Sequence, residues 1–333
     1  MDTHKGVLVC GEIAEGKLAP ITIELFGIGR KLANELGEEL SVLLMGSQAT
    51  GLAKESIAYG ADKVYVAEDG LLDQYNSDAY TQVAADLCRN ILPSIMLLGH
   101  TDIGCDLAPR LNGRLGGGLA MDCLTLSIDP ANKLLLSTRP VFGGNALATT
   151  VSRSVRPQMA TLRLKTVLPA ERNDSRQGQV IPVDSKIDTS AIKVKVVERI
   201  KEEVEGVKLE DAEVVVAGGR GMGSAQNWEM IKELARVLNG AVGATRPPCD
   251  EGWAPVSLQI GQSGKVVSPK LYIAVAISGA MSHIVGALGS KVIVAVNKDK
   301  EANIFNVAHF GIIGDFKEVL PALTAKLKDL KLK

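Results

Sequence analysis

The chain reads as an α/β protein of two domains, each built on a mainly parallel sheet. Three observations predict this. Short apolar runs alternate with helix-period stretches through residues 1 to about 130, the pattern of parallel strands joined by right-handed helical crossovers. A second set of strand-like runs begins at Val214, after a polar, charge-rich stretch. Glycine-rich turns follow two of these later runs, as in a doubly wound sheet.

In the first set, Val7–Cys10, Leu40–Met45, Lys63–Val66 and Ile95–Leu98 are predicted strands. Between them the spacing predicts helices over Leu18–Leu36, Gly51–Tyr59, Ala79–Leu92 and Cys105–Leu115. Asp62 and Ser94, each before an apolar run, read as turn residues, and Asp102 as a helix cap. From Cys123 to Leu164 the runs shorten and are separated by Asp129-Pro130, Gly143-Gly144 and Arg156-Pro157, which predicts antiparallel additions to the first sheet. Pro169–Ser190 is polar and reads as a loop. Ile192–Ile200 alternates apolar and charged residues, as a half-exposed edge strand would. Charge-rich Lys201–Asp211 reads as a hinge, and the domains are drawn as residues 1–203 and 204–333. Beyond it, Val214–Ala217, Tyr272–Ile277 and Val292–Val296 are predicted strands of the second sheet. Lys317–Lys333 is a basic helical tail whose late lysines suit the helix dipole.

Composition narrows the class. A length of 333 residues suits two domains. With 46% hydrophobic residues and 34 glycines, the chain can build buried sheets and tight turns. A net charge of −1 argues against a nucleic-acid surface. No apolar run approaches the ~20 residues of a membrane span. The chain enters its first strand at Gly6–Cys10 without a leader pattern, so a cytoplasmic location is expected. The five cysteines form no C-x-x-C pair and read as free thiols. His100, Asp102 and Asp106 lie close in sequence, but no helix spacing gathers them with a third ligand, and Arg110 and Arg114 read as solvated or partner-facing charges.

The chemistry concentrates between Val214 and His283. Val214–Ala217 runs into Gly218-Gly219-Arg220-Gly221-Met222-Gly223-Ser224, and an amphipathic stretch follows (Trp228, Ile231, Leu234, Ala235, Leu238). Strand, glycine turn and helix together let a backbone approach a ligand and offer N–H groups to phosphate. Leu271–Ile277 followed by Ser278-Gly279-Ala280 repeats the device. The common dinucleotide fingerprint fails, because its third glycine would fall at Ser224 and no acidic residue ends the next run. A phosphate loop of the Walker type fails as well: Val266 follows Gly264-Lys265, and Gln259 stands where it needs glycine.

The ordered set GGRGMGS, GATRP, QIGQSGK, SPKLYIAVAISGAMSH, KVIVAVNKD and GIIGDF closely resembles the FAD-binding C-terminal domain of the electron transfer flavoprotein alpha subunit. Thr245 and Ser263 exchange one hydroxyl residue for another, and Met281-Ser282 varies between fixed neighbours. The resemblance extends more loosely to the N-terminal half. Thr138–Asn145 and Arg156–Arg163 resemble the alpha subunits of anaerobic, often electron-bifurcating, members.

The resemblance implies one FAD in this chain. Arg220 and the N–H groups of Ser278, Gly279 and Ala280 would hold the pyrophosphate. Asn297 and Asp315, the latter beside Phe316, would contact the ribityl or adenosine part. Ser263, in a loop with Ile260, Gly261 and Gln262, would reach flavin N5. Arg246, after Thr245, would lie near the isoalloxazine, as would His283, which would follow Met281 and Ser282 and point toward the C2 carbonyl. A guanidinium keeps its charge, and each ~1.4 kcal/mol of extra stabilisation of the reduced anion raises a one-electron potential by ~59 mV.

The resemblance also implies a heterodimer with a beta subunit carrying AMP or a second FAD. Electrons would pass between dehydrogenases of the acyl-CoA type and a quinone oxidoreductase or related acceptor. In a bifurcating complex NADH would be the donor and a ferredoxin one of two acceptors. Such a chain is an electron carrier rather than a conventional enzyme, and its FAD domain would swing about the hinge. Outside this arrangement His283 reads as a core histidine satisfied by backbone, Arg246 as a helix cap, and Ser263 and Ser278 as turn residues. Two alternatives are a nicotinamide-dependent dehydrogenase or transhydrogenase-like domain and a nucleotide-binding sensor. The first needs an acid/base and an acidic ribose contact, and the second leaves Arg246, Gln262, Ser263 and His283 without a task.

Overall fold

The computed structural model describes residues 4–142, 146–198, 207–209 and 212–331. The chain divides into two compact units, Met1–Ile200 and Lys201–Lys333. The hinge expected at Lys201–Asp211 falls for the most part outside the described residues.

The first unit opens with β1 (Val7–Cys10), a hairpin of β2 (Ile13–Ala14) and β3 (Lys17–Leu18), and α1 (Pro20–Leu36). There follow β4 (Leu40–Met45), α2 (Ala53–Ala58), β5 (Lys63–Ala67), α3 (Ser77–Ile91), β6 (Ile95–Gly99) and α4 (Asp102–Leu115). Then come β7 (Gly118–Cys123), β8 (Thr125–Ile128), β9 (Leu135–Val141), β10 (Ala146–Val151), β11 (Gln158–Leu162) and β12 (Gln179–Pro182). Seven strands form a sheet in the order β12-β5-β4-β1-β6-β11-β7, and its pairings are parallel. β1, β4 and β6 are buried along their whole length, because helices cover both faces. Val7, Val9 and Val42 pack with α1 residues Leu25, Phe26 and Leu32. The alternate residues Leu8, Cys10 and Leu43 pack with α3 and α4, as the period of two requires.

Several expectations are corrected. The first helix starts at Pro20, a residue suited to a first helical position, because Ile13–Leu18 is spent on the hairpin. Thr101, not Asp102, caps α4: its Oγ1 accepts from Gly104 N at 3.0 Å. Asp62 is more than a turn residue. It accepts from Leu40 N at 2.9 Å and pairs with Arg30 and, at 2.6 Å, with Arg176. The antiparallel strands β8, β9 and β10 form a sheet of their own rather than extending the first, while β11 joins the main sheet in parallel. The loop read over Pro169–Ser190 contains β12. Ile192–Glu198 is not a strand. Its Lys193 N and Val194 O bond instead to Asp78 and Asn76 at the start of α3, and residues 199–200 lie outside the described set.

The second unit contains β13 (Val214–Gly218), α5 (Trp228–Leu238), β14 (Ala241–Ala244), α6 (Arg246–Asp250), β15 (Leu271–Val275) and α7 (Met281–Ile284). It ends with β16 (Val292–Asn297), β17 (Phe310–Ile313) and α8 (Phe316–Lys331). The five strands are parallel in the order β14-β13-β15-β16-β17. β14 and β15 lie on opposite sides of β13, so the strand order reverses there. Val215, Tyr272 and Ile293 face one core layer, and Val216, Ile273 and Val296 face the other with Trp228, Ile231 and Leu234 of α5.

Candidate functional site

The residues singled out in the sequence of the second unit converge on one edge of its sheet. β13 ends at Gly218, just before Arg220. β14 ends before Thr245 and Arg246, and β15 before Ser278–His283. β16 ends at Asn297, and β17 ends two residues before Asp315 and Phe316. In an open parallel sheet, ligands bind outside these carboxyl ends where the strand order reverses.

A cleft of about 340 Å³ opens there. Gly221–Ser224, Ala276, Asn297, Asp315 and Phe316 line it, with Asn227, Lys298 and Lys317. Asn297 Nδ2 donates to Ile277 O at 2.9 Å, so its orientation is fixed. Asp315 Oδ1 accepts from Lys317 N at 2.9 Å and starts α8. The amphipathic stretch read after the glycine turn is α5, Trp228–Leu238, with Trp228, Ile231, Leu234 and Ala235 buried. Two short 3-10 turns, Arg220–Met222 and Ala225–Asn227, precede α5, because Gly223 is left-handed at φ 78° and Ser224 extended.

A second group forms a polar rim. Arg246 is the first residue of α6, largely exposed, with Nε 3.2 Å from Asp250. Buried Thr245 precedes it, and its N–H donates to Gly218 O. Gln262 and Ser263 are exposed on a turn tied at both ends: Ile260 N donates to Ala244 O at 2.8 Å and Gln262 N to Ser282 O at 2.7 Å. Gly261 is required in that turn, since at φ 144° an added Cβ would lie 2.6 Å from Ser282 O. Ser263 Oγ accepts from Gln259 Nε2 at 3.0 Å. Ser278, Ala280, Met281 and Ser282 are exposed beside it, and Gly279 is buried.

His283 is placed differently from the rest. It is 6% exposed, with Nδ1 2.9 Å from Ile260 O and Nε2 2.8 Å from the hydroxyl of Tyr272. Burial holds its pKa below the ordinary value. Both ring nitrogens are engaged within the chain, so as placed His283 has no free N–H for a ligand.

In the first unit His100, Asp102 and Asp106 go separate ways. His100 Nδ1 meets Thr161 Oγ1, Asp106 accepts from Tyr75 and Arg110, and Asp102 begins α4. Among the described residues no group of three or more His, Cys, Asp or Glu could hold a metal ion.

Residues 7–188 match the sequence model of the electron transfer flavoprotein domain, and residues 208–288 that of the electron transfer flavoprotein FAD-binding domain. The electron transfer flavoprotein subunit alpha of Thermoanaerobacterium thermosaccharolyticum is 44% identical over 99% of this chain and 100% of its own. The chain belongs to the electron transfer flavoprotein alpha family. The family's subunit alpha from Megasphaera elsdenii is 44% identical over 98% of both chains. Protein FixB of Clostridium saccharobutylicum is 43% identical over 98% of this chain and 97% of its own.

The site fits the flavin that the family's FAD-binding domain binds. Gly223 faces open space, leaving the cleft floor free for a ligand. Asn297, Lys298, Asp315 and Lys317 supply the donors, acceptors and positive charge that a hydroxylated, phosphate-bearing chain needs. Of the other lining residues, Ser224 was read only as the end of the glycine turn and Lys298 only within KVIVAVNKD, while Asn227 carried no reading. Lys317 had been absorbed into the basic tail, although its place just past a glycine-aspartate turn was a usable signal.

Proposed function

We propose that the chain is the alpha subunit of a heterodimeric electron transfer flavoprotein and holds one FAD at the carboxyl edge of its second sheet. The convergence of the Gly221–Ser224 turn, Asn297 and Asp315 on one cleft carries this reading. The flavin supplies the one- and two-electron chemistry, and the protein binds and orients it. The turn, Arg220 and the Ser278–Ala280 backbone hold the pyrophosphate. Asn297 and Asp315 hold hydroxyls, and Phe316 closes the cleft. Arg246, Gln262 and Ser263 line the ring's polar edge.

The partner is a beta subunit carrying AMP or a second FAD. Redox partners are dehydrogenases of the acyl-CoA type and a quinone oxidoreductase or related acceptor; in the bifurcating form they are NADH, ferredoxin and an enoyl-CoA reductase system. Domain division near residue 203 lets the FAD domain reposition toward them. No helix among the described residues is long and apolar enough to cross a membrane. Five cysteines outside any disulfide fit a reducing cytoplasm.

The test is nucleotide content of the complex purified with its beta subunit, by chromatography after denaturation. One FAD with one AMP per heterodimer supports the conventional carrier. Two FAD support the bifurcating form. A folded complex without flavin refutes the reading.

A further inference from the structure

The glycine turn that lines the cleft is made of two short pieces that the backbone does not join. In the first, Gly219 N donates to Val275 O at 2.9 Å, Met222 N to Gly219 O at 3.0 Å and Gly223 N to Arg220 O at 3.1 Å. The chain then reverses, with Gly223 at φ 78° and Ser224 extended, before the second piece, Ala225–Asn227. Among the described residues no backbone hydrogen bond ties this second piece back to the first. A side chain does so instead: Asn227 Nδ2 donates to the Met222 carbonyl oxygen at 2.6 Å.

The two ends of that link differ in how firmly they are held. Asn227 immediately precedes Trp228, which is buried and lies under the end of β13: a Cβ added to Gly218 would be 2.7 Å from its ring. Gly223, at the other end, has nothing within 4 Å of the place its Cβ would take. Glycine accepts either sign of φ, so the planar Met222–Gly223 peptide is the point at which the turn can flip. A flip exchanges the directions of its N–H and its carbonyl oxygen, and beside an anion the first attracts while the second repels. We propose that Asn227 is a positioning residue of the flavin site. It holds the Met222 oxygen while Arg220 O holds the Gly223 N–H, and the peptide between them is locked. The Gly221–Ser224 turn then stands formed before the pyrophosphate arrives, and binding is spared the cost of ordering it.

The inference rests on the flavin reading above, and the experiment separates the two. The full chain is purified with its beta subunit as the native protein, as Asn227→Leu, which keeps the volume without the donor, and as Asn227→Ala in case the leucine does not fit. FAD dissociation is followed by flavin fluorescence. ADP, which carries the same pyrophosphate, and adenosine, which lacks it, are titrated as inhibitors of FAD rebinding to the flavin-stripped complex. Either variant should speed FAD dissociation about fivefold, the scale of one lost hydrogen bond. Inhibition by ADP should weaken by a similar factor, and inhibition by adenosine by less than about twofold. The first reduction potential of the bound flavin should equal that of the native complex, because the pyrophosphate is remote from the ring and is held alike in both redox states.

An unchanged rate of FAD dissociation in both variants overturns the proposal. Faster dissociation with unweakened ADP inhibition overturns it as well, since the loss then lies away from the pyrophosphate. Equal losses of ADP and adenosine inhibition mark Asn227 as packing alone, and a shifted reduction potential places its effect at the ring; each of these refutes the assigned role. A native complex that never contains flavin refutes the functional reading itself. Flavin in the native complex, with variants that behave like it, refutes only the role of Asn227.

Discussion

Gly221 and Ala276 share a hydrogen bond across the mouth of the cleft: Gly221 N donates to the Ala276 carbonyl at 3.2 Å. Ala276 holds a left-handed backbone at φ 52°, a region that costs a residue with a side chain ~1 kcal/mol or more. Strain of this kind persists where the surroundings over-determine it, and functional sites are a common place. Here it turns β15 sharply enough to bring Ser278–Ala280 beside the glycine turn.

Two glycines of that turn should therefore fail for different reasons. In Gly221→Ala the new Cβ would lie 2.8 Å from the Ala276 oxygen and 3.0 Å from its Cβ. Backbone must move, and the expected cost is about 1–3 kcal/mol with loss of flavin from the purified complex. At Gly223 nothing lies within 4 Å, but φ is 78°, so Gly223→Ala should cost only ~1 kcal/mol. Urea unfolding and flavin absorbance measure both; equal costs would contradict the packing argument.

Arg246 should raise the potential of bound flavin. A guanidinium is a fixed positive charge, but this one is largely exposed, so screening limits its effect. Arg246→Ala should lower the first reduction potential by roughly 20–60 mV, against the 59 mV of a tenfold change. A spectroelectrochemical titration reads this directly, and an unchanged or raised potential would remove Arg246 from the ring's surroundings.

Glu24 should make the first unit less stable as pH rises. Burial on α1 pushes its carboxyl up to about 7, despite the bond it accepts from Lys165 N at 2.8 Å. With the folded value raised, the folded state keeps the proton longer than the unfolded one. Stability is then full below about pH 4.5 and declines until about pH 7. Glu24→Gln should remove that decline, gaining roughly 1–3 kcal/mol at pH 8 and little at pH 4.5. Urea midpoints at the two pH values check it; equal gains at both would contradict the burial argument.

Asp62 should act in the opposite direction. Burial opposes its charge, but the Leu40 N–H and the guanidiniums of Arg30 and Arg176 outweigh that and lower its pKa. Its contribution is present above the ordinary carboxylate range and fades as pH falls through the lowered value. Asp62→Asn should cost about 1–2 kcal/mol at pH 7 and progressively less toward pH 3. A constant penalty across that range would mean the carboxylate's charge plays no part.

The fold was legible where sequence and environment agree. Leu40–Met45 is apolar but for Ser41 because it is buried on both faces. β14 escaped because Ala241-Val242-Gly243-Ala244 carries almost no β-branched signal, and β17 because its Phe310–Ile313 run is exposed. The alternation at Ile192–Glu198 misled because its backbone partners are side chains of α3, more than a hundred residues away in sequence. In the site, the glycine turns and strand ends were readable since local chemistry defines them. The state of His283 was not, because Tyr272 reaches it from another element.

β12 pairs with β5 through Gln179–Pro182 at the outer side of the seven-stranded sheet. It is short and ends in a proline that cannot donate to a further strand. Without it, Lys63–Ala67 would present an open row of amide and carbonyl groups to any neighbouring molecule, the usual template for intermolecular strand pairing. A first unit lacking only Gln179–Pro182 would lose none of its buried apolar residues and yet offer that open row, so these four residues guard the sheet's far border.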